Sequence, residues 1–95
     1  MTVADVKRQL RITHTLLDND IDATITEARE ELVRAGVSET AANGEAPLVE
    51  RAILTYCLAM FSNETKAERY EEAFRVQLDN LRKSLDYSES SESEE

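Results

Sequence analysis

The chain has 95 residues and a net charge of −9, from 20 acidic and 11 basic side chains. This length allows one domain, and the charge argues against a surface that wraps nucleic acid, because neutralised phosphates supply most of the affinity of such a surface. Hydrophobic residues make up 41% of the chain, with only two glycines, one proline and no tryptophan. That composition favours helices over strands, which need more turn, β-branched and aromatic residues. We therefore expect an all-α fold, a small bundle of about four helices.

The first predicted helix begins at Thr2. The Thr2 hydroxyl can cap the free amides of the first turn, and Asp5 stands three residues further on, as in a capping box. The apolar residues that line one face of this helix are Val3, Val6 and Leu10. Residues 11–17 have no sustained helical period, so we predict an extended elbow there. The apolar residues of the elbow, which we expect to tuck under the next helix, are Ile12, Leu16 and Leu17.

The second predicted helix opens in the acidic segment DNDID, residues 18–22, and Gly36 is placed to close it in a left-handed conformation. Its apolar positions at helical spacing are Ile21, Ile25, Ala28, Leu32 and Ala35. The acidic start resembles a calcium loop, but the sixth position, which needs glycine, is Ala23, and the twelfth, which needs glutamate, is Arg29. We therefore expect these acids to offset the helix dipole and to cap its amides.

Both glycines of the chain fall in residues 36–46, which we predict to be a loop. Pro47 then suits the first turn of a third helix, because proline lacks the amide that would be left unpaired there. Residues 48–61 are apolar nearly all round this helix, so neighbours should cover most of its circumference and make it the central helix of the domain or of an assembly. The most apolar part, residues 52–61, is about half the length that spans a bilayer, so we expect no membrane role.

The fourth predicted helix starts with the capping-box pattern of Thr65 and Glu68 and runs about as far as Asp86. Its apolar positions are Tyr70, Phe74, Leu78, Leu81 and Leu85. The final SESSESEE has no apolar side chain to offset chain entropy, so we predict a disordered tail. The chain is thus divided into a helical domain over residues 1–87 and an acidic Ser/Glu tail over residues 88–95.

Few residues could carry chemistry. His14 is the only histidine, and the sequence offers it no assignable nucleophile, orienting carboxylate or further ligand. Cys57 is the only cysteine, so no second thiol can join it in a disulfide or at a metal, and burial in its apolar run would make it inert. Five bulky side chains could line a ligand pocket but are more often core at helical spacing: Tyr56, Met60, Phe61, Tyr70 and Phe74. We expect no enzyme activity, no cofactor and no bound metal.

The order of these segments resembles the order found in a known protein family. The succession TVADVKRQLRI, DNDIDATITEAREEL and PLVERAILTYCLAMF resembles the small head-tail connector, or adaptor, proteins of tailed bacteriophages. The matching positions are Thr2, Val6, Lys7, Leu10, Arg11 and Ile12 in the first segment, residues 18–25 in the second, and Leu48, Ala52, Ile53 and Leu54 in the third. The closing YEEAFRVQLDNLRKSLDY is similar to the last helix of some members, whereas the link before it is shorter than in many relatives and SESSESEE is not part of the pattern.

The resemblance implies a structural role in the virion. It implies that about twelve copies form a ring beneath the portal of the DNA-filled capsid and meet the downstream connector, stopper or tail proteins. The ring would extend the DNA channel, through which DNA passes without sequence-specific binding. The protein would be made in the cytoplasm of the bacterial host and would lie at the head-tail junction of the virion. Because family members meet the portal through their C-terminal region, the candidate portal contacts are Arg75, Arg82, Lys83 and Leu85.

Two other classes remain open on the residues alone. A small acidic regulatory or inhibitory module, such as an antitoxin-like protein or a DNA mimic, would act as a monomer or dimer on a basic protein partner. A small enzyme would require a pocket that joins His14 to a carboxylate with a shifted pKa.

Overall fold

The structure is a computed structural model that describes residues 2–83, apart from the side chain of Glu64. Those residues form five helices and no strand: α1 (Val3–Leu10), α2 (Asp18–Arg34), α3 (Glu39–Ala42), α4 (Pro47–Phe61) and α5 (Glu64–Lys83). The expected all-α fold is confirmed. None of these helices is both long and apolar enough to cross a membrane.

Helix α1 begins as its sequence predicts. The Asp5 amide donates to Thr2 Oγ1 at 3.3 Å, and the Thr2 amide donates to Asp5 Oδ2 at 3.0 Å, which completes a capping box. The Thr2 hydroxyl also donates to Asp5 Oδ2, at 3.0 Å, and the hydrogen bonds from the Thr2 amide and hydroxyl lower the pKa of the Asp5 carboxyl. The helix stops at Leu10, because Arg11 adopts a left-handed conformation with φ of 59°.

The elbow between α1 and α2 consists mostly of turns and bends, at residue 11 and residues 14–17, so it is not extended over its whole length. Leu17 packs against the core, but Leu16 is 84% exposed, so the expectation that all its apolar residues tuck under α2 is wrong. The expected capping by the acidic segment is also wrong, because Leu17 occupies the N-cap position without a side-chain hydrogen bond. Asp18 lies within the first turn and pairs with Lys7 of α1, the Nζ and Oδ1 atoms being 2.9 Å apart.

Helix α2 ends at the predicted glycine. Gly36 has a φ of 110°, and its amide donates to the carbonyl of Val33 at 3.0 Å. The next segment differs from the predicted loop, because Ser38 accepts a hydrogen bond from the Ala41 amide at 3.2 Å and starts the short helix α3. Arg29 of α2 donates to the Ala42 carbonyl at 2.8 Å and ties α3 to α2.

Helix α4 is the centre of the bundle, and it packs against α1, α2 and α5. The largest fully buried side chains are Val6, Ile21, Leu32, Val37, Val49, Ile53 and Cys57. The prediction that Pro47 takes the first helical position is confirmed. Neighbours do not cover the whole helix, however, since Leu48 near its start is 56% exposed and Met60 near its end is 54% exposed.

Helix α5 packs against α4, and its buried side chains are Phe74 and Leu81. The Phe74 ring meets the Tyr56 ring of α4 edge to face, with centroids 5.1 Å apart. The predicted capping box of Thr65 and Glu68 is wrong, because both lie inside the helix and Asn63 Oδ1 accepts from the Lys66 amide at 3.1 Å. The predicted helix end at residue 86, the tail over 88–95 and the boundary between them lie outside the described residues.

Candidate functional site

The last described turn of α5 carries two of the candidate portal contacts. Arg82 Nη2 lies 2.8 Å from Asp79 Oδ1, and Lys83 Nζ lies 2.9 Å from Asp79 Oδ2. The hydrogen bonds from Lys83 and then Arg82 lower the pKa of the Asp79 carboxyl. Both cations remain accessible, with side-chain exposures of 53% and 71%. The three side chains together present one net positive charge at the end of α5, and Leu85 lies outside the described residues.

The structure does not bring Arg75 together with these cations. Arg75 instead lines a cleft of about 300 Å³ between α2, α4 and α5. The apolar residues of this cleft are Tyr56, Ala59, Met60, Phe74 and Leu78, and its charged residues are Glu31, Glu71 and Arg75. Burial raises the pKa of Tyr56, and the carboxylates of Glu27 and Glu31 raise it further.

The five bulky side chains considered for a ligand pocket are divided by the structure. Tyr56, Met60 and Phe74 share the cleft between α2, α4 and α5, whereas Phe61 and Tyr70 line a second cleft at the opposite end of α5 from Lys83. Phe74 is also buried in the core. The sequence therefore placed these residues on the correct helices without showing which of them meet.

The second cleft, which we name the cationic cleft, has a volume of about 500 Å³ and lies where α1, α4 and α5 end or begin. Its lining residues are Gln9, Leu10, Arg11, Leu58, Phe61, Ser62, Asn63, Lys66 and Tyr70. Sequence reasoning missed it, because three segments far apart in the chain supply it. The one local signal was the basic run KRQLR, residues 7–11, in an otherwise acidic chain.

His14 lies exposed in the elbow, where its Nδ1 accepts a hydrogen bond from the Leu16 amide at 3.3 Å. Among residues 2–83, no carboxylate lies within ion-pair distance of His14. This arrangement organises a turn and offers no partner for acid–base chemistry.

Cys57 is a free and fully buried thiol of α4. Burial raises its pKa to about 11, which keeps it in the unreactive thiol form at neutral pH. In the described part of the chain, no three histidine, cysteine, aspartate or glutamate side chains are close enough to hold a metal ion.

Comparisons of the chain with protein-family models, with curated proteins and with solved structures find no match. The charge and polarity of their own residues therefore indicate what the two clefts and the end of α5 can bind.

Proposed function

We propose that this chain is a head-tail connector, a structural virion protein that forms a ring between the portal of a DNA-filled capsid and the tail. The resemblance that suggests this role lies in an order of elements: a short capped helix, an elbow, an acid-started helix and a central apolar helix. The described helices over residues 3–10, 18–34 and 47–61 have that order. The role is one of contact and needs no catalytic residue, cofactor or metal.

The observation that carries the proposal is the incomplete covering of α4. Leu48 and Met60 are both more than half exposed, and they lie twelve residues apart, about 18 Å along the helix at 1.5 Å per residue. The central helix thus offers apolar surface at both of its ends. A joint between two protein bodies needs contacts on two sides, and burying apolar side chains there stabilises such contacts.

The charge of the chain agrees with a channel for DNA. A ring of subunits that each carry a net charge of −9 repels the phosphate backbone, so DNA slides through it instead of binding. Within the described residues, the end of α5 is then a local exception, with Arg82 and Lys83 against Asp79. A surface of this kind suits a protein partner with an acidic patch, and we assign it to the portal.

The portal contact is tested by reversing the charges at the end of α5. The variant Arg82→Glu/Lys83→Glu should attach about tenfold more weakly to portal-bearing capsids, because two attractive charges become repulsive. Attachment is measured by co-sedimentation of the purified protein with DNA-filled capsids that lack tails, over a series of protein concentrations.

The matched control is Arg51→Glu/Arg69→Glu, which changes the net charge equally. Arg51 and Arg69 are exposed and form no ion pair within residues 2–83. This control should attach as the unchanged chain does. Equal attachment of both variants would remove the α5 end as the portal contact. Failure of the unchanged chain to bind any portal, with tight binding to a basic protein, would favour the acidic regulatory module instead.

A further inference from the structure

The cationic cleft is positively charged, whereas the molecule as a whole is negatively charged. Its only charged lining residues are Arg11 and Lys66, so it carries two positive charges in a chain of net charge −9. The amides of Gln9 and Asn63 and the hydroxyls of Ser62 and Tyr70 add neutral polar groups around the two cations. These groups are donors that suit an anion.

Arg11 and Lys66 are also free to take such a partner. Neither side chain forms an ion pair with any described side chain of residues 2–83, a set that leaves out Glu64. Lys7 pairs with Asp18, and both Arg82 and Lys83 pair with Asp79. Within the described part of the chain, Arg51 and Arg69 are also without an ion pair, but they line neither of the two clefts. The cleft is therefore a place where the structure gathers positive charge without neutralising it.

The apolar residues of the cleft narrow the kind of anion that fits. Leu10, Leu58 and Phe61 line it beside the cations, and burying them stabilises a complex only if the partner brings apolar side chains of its own. A nucleic acid backbone brings none, and the overall negative charge repels it. The cleft thus fits a peptide segment in which apolar and acidic residues stand side by side.

The chain contains such a segment. Residues 84–95, SLDYSESSESEE, place Leu85 and Tyr87 beside Asp86 and continue with four glutamates. We propose that this segment of one copy binds in the cationic cleft of a second copy, with its carboxylates on Arg11 and Lys66.

The reach of the apolar part of the segment favours a second copy over the cleft of the same chain. Lys66 and Lys83 are seventeen residues apart on α5, about 25 Å at 1.5 Å per residue. Asp86 follows Lys83 by three residues and reaches at most about 10 Å beyond it. Leu85 and Asp86, which join an apolar side chain to an acidic one, therefore cannot return to the cleft of their own chain. Only residues from about 91 onward could span that distance, and they are serines and glutamates without an apolar side chain.

The contact joins two different surfaces, which lie at opposite ends of α5. Each copy gives its segment to one neighbour and receives the segment of another, so the interaction is head-to-tail and closes into a ring if the rotation allows. As the bond between neighbours it rests on the proposed ring, but its test needs no portal. A failed self-association and a failed portal attachment can therefore be told apart.

The test uses two variants of the full chain. One alters the cleft and keeps the segment intact, and the other alters the segment and keeps the cleft intact. The cleft variant is Arg11→Gln/Lys66→Gln. The segment variant has amides in place of the acids of residues 84–95: Asp86→Asn, Glu89→Gln, Glu92→Gln, Glu94→Gln and Glu95→Gln. Arg11 and Lys66 are exposed, so the cleft variant should melt, by circular dichroism, at the temperature of the unchanged chain.

Sedimentation velocity then measures association. The unchanged chain should self-associate, at least tenfold more weakly when salt rises from about 50 mM to about 500 mM, because the charges are screened. Each variant alone should stay monomeric, whereas a mixture of the two should form one-to-one dimers, since only the mixture offers an intact cleft and an intact segment. The control Arg51→Gln/Arg69→Gln should associate as the unchanged chain does.

Three results would overturn the proposal. The unchanged chain could remain monomeric at its highest soluble concentration. Either variant could self-associate as strongly as the unchanged chain, which would place the contact elsewhere. The mixture could fail to form dimers, which would mean that the cleft and the segment do not meet each other.

Discussion

Among single residues, Cys57 shows most directly what burial in this small core does. The thiol is completely covered within α4, and its pKa of about 11 follows from the loss of water around the charged form. The raised pKa has a consequence for stability. Folding disfavours the thiolate, so the native state loses stability as the pH rises through the unfolded value of about 8.5 towards 11.

The reactivity of Cys57 is the residue-scale prediction. At pH 8 a thiol with a pKa of about 11 is ionised to about one part in a thousand, against about a quarter in the unfolded chain. Iodoacetamide should therefore alkylate the native protein at least a hundredfold more slowly than the protein in concentrated urea, as followed by mass spectrometry. Equal alkylation rates for the native and the urea-unfolded protein would contradict the burial of Cys57 in α4.

At the scale of helices, the sequence was sufficient to predict those helix starts and ends in which a side chain acts on residues close to it in the chain. The capping box of Thr2 and Asp5, the left-handed Gly36 and the first-turn Pro47 all depend on residues within one turn. Each of these was predicted from the sequence and confirmed.

The sequence did not predict elements that depend on competition between neighbouring capping residues or on contacts between residues far apart in the chain. Thr65 and Glu68 have the capping-box spacing, but Asn63 stands two residues earlier and its side chain takes the N-cap position instead. Helix α3 is short, and the Arg29 hydrogen bond to the Ala42 carbonyl, which no local pattern announces, holds it in place. The cationic cleft was missed for the same reason, because α1, the end of α4 and the start of α5 meet only after folding.

Gly36 provides the prediction at this scale. Its φ of 110° is one that other residues rarely adopt, and a Cβ there would lie 3.2 Å from Arg82 Cγ of α5. Gly36→Ala should lower the free energy of unfolding by about 1 to 2 kcal/mol, through strain at the end of α2 and displacement of Arg82. Urea denaturation followed by circular dichroism measures this change, and an unchanged midpoint would contradict the assigned conformation.

At the scale of the molecule, the surfaces of residues 2–83 that suit partners include the net positive end of α5, the cationic cleft, and the apolar side chains at the two ends of α4. In the proposed connector, the first meets the portal, the second receives the neighbouring subunit, and the apolar ends of α4 add area to both kinds of contact. A chain of this size buries a smaller fraction of its surface than a larger domain does, so contacts with such neighbours would add to its stability.

The most direct test of the proposed connector is electron microscopy of the purified chain mixed with portal rings encoded in the same genome. If the chain is a connector, the portal rings should gain an added ring of density that is coaxial with the portal channel. This ring should contain one copy of the chain for each portal subunit. Portal rings that gain no density at saturating concentrations of the folded chain would contradict the connector role.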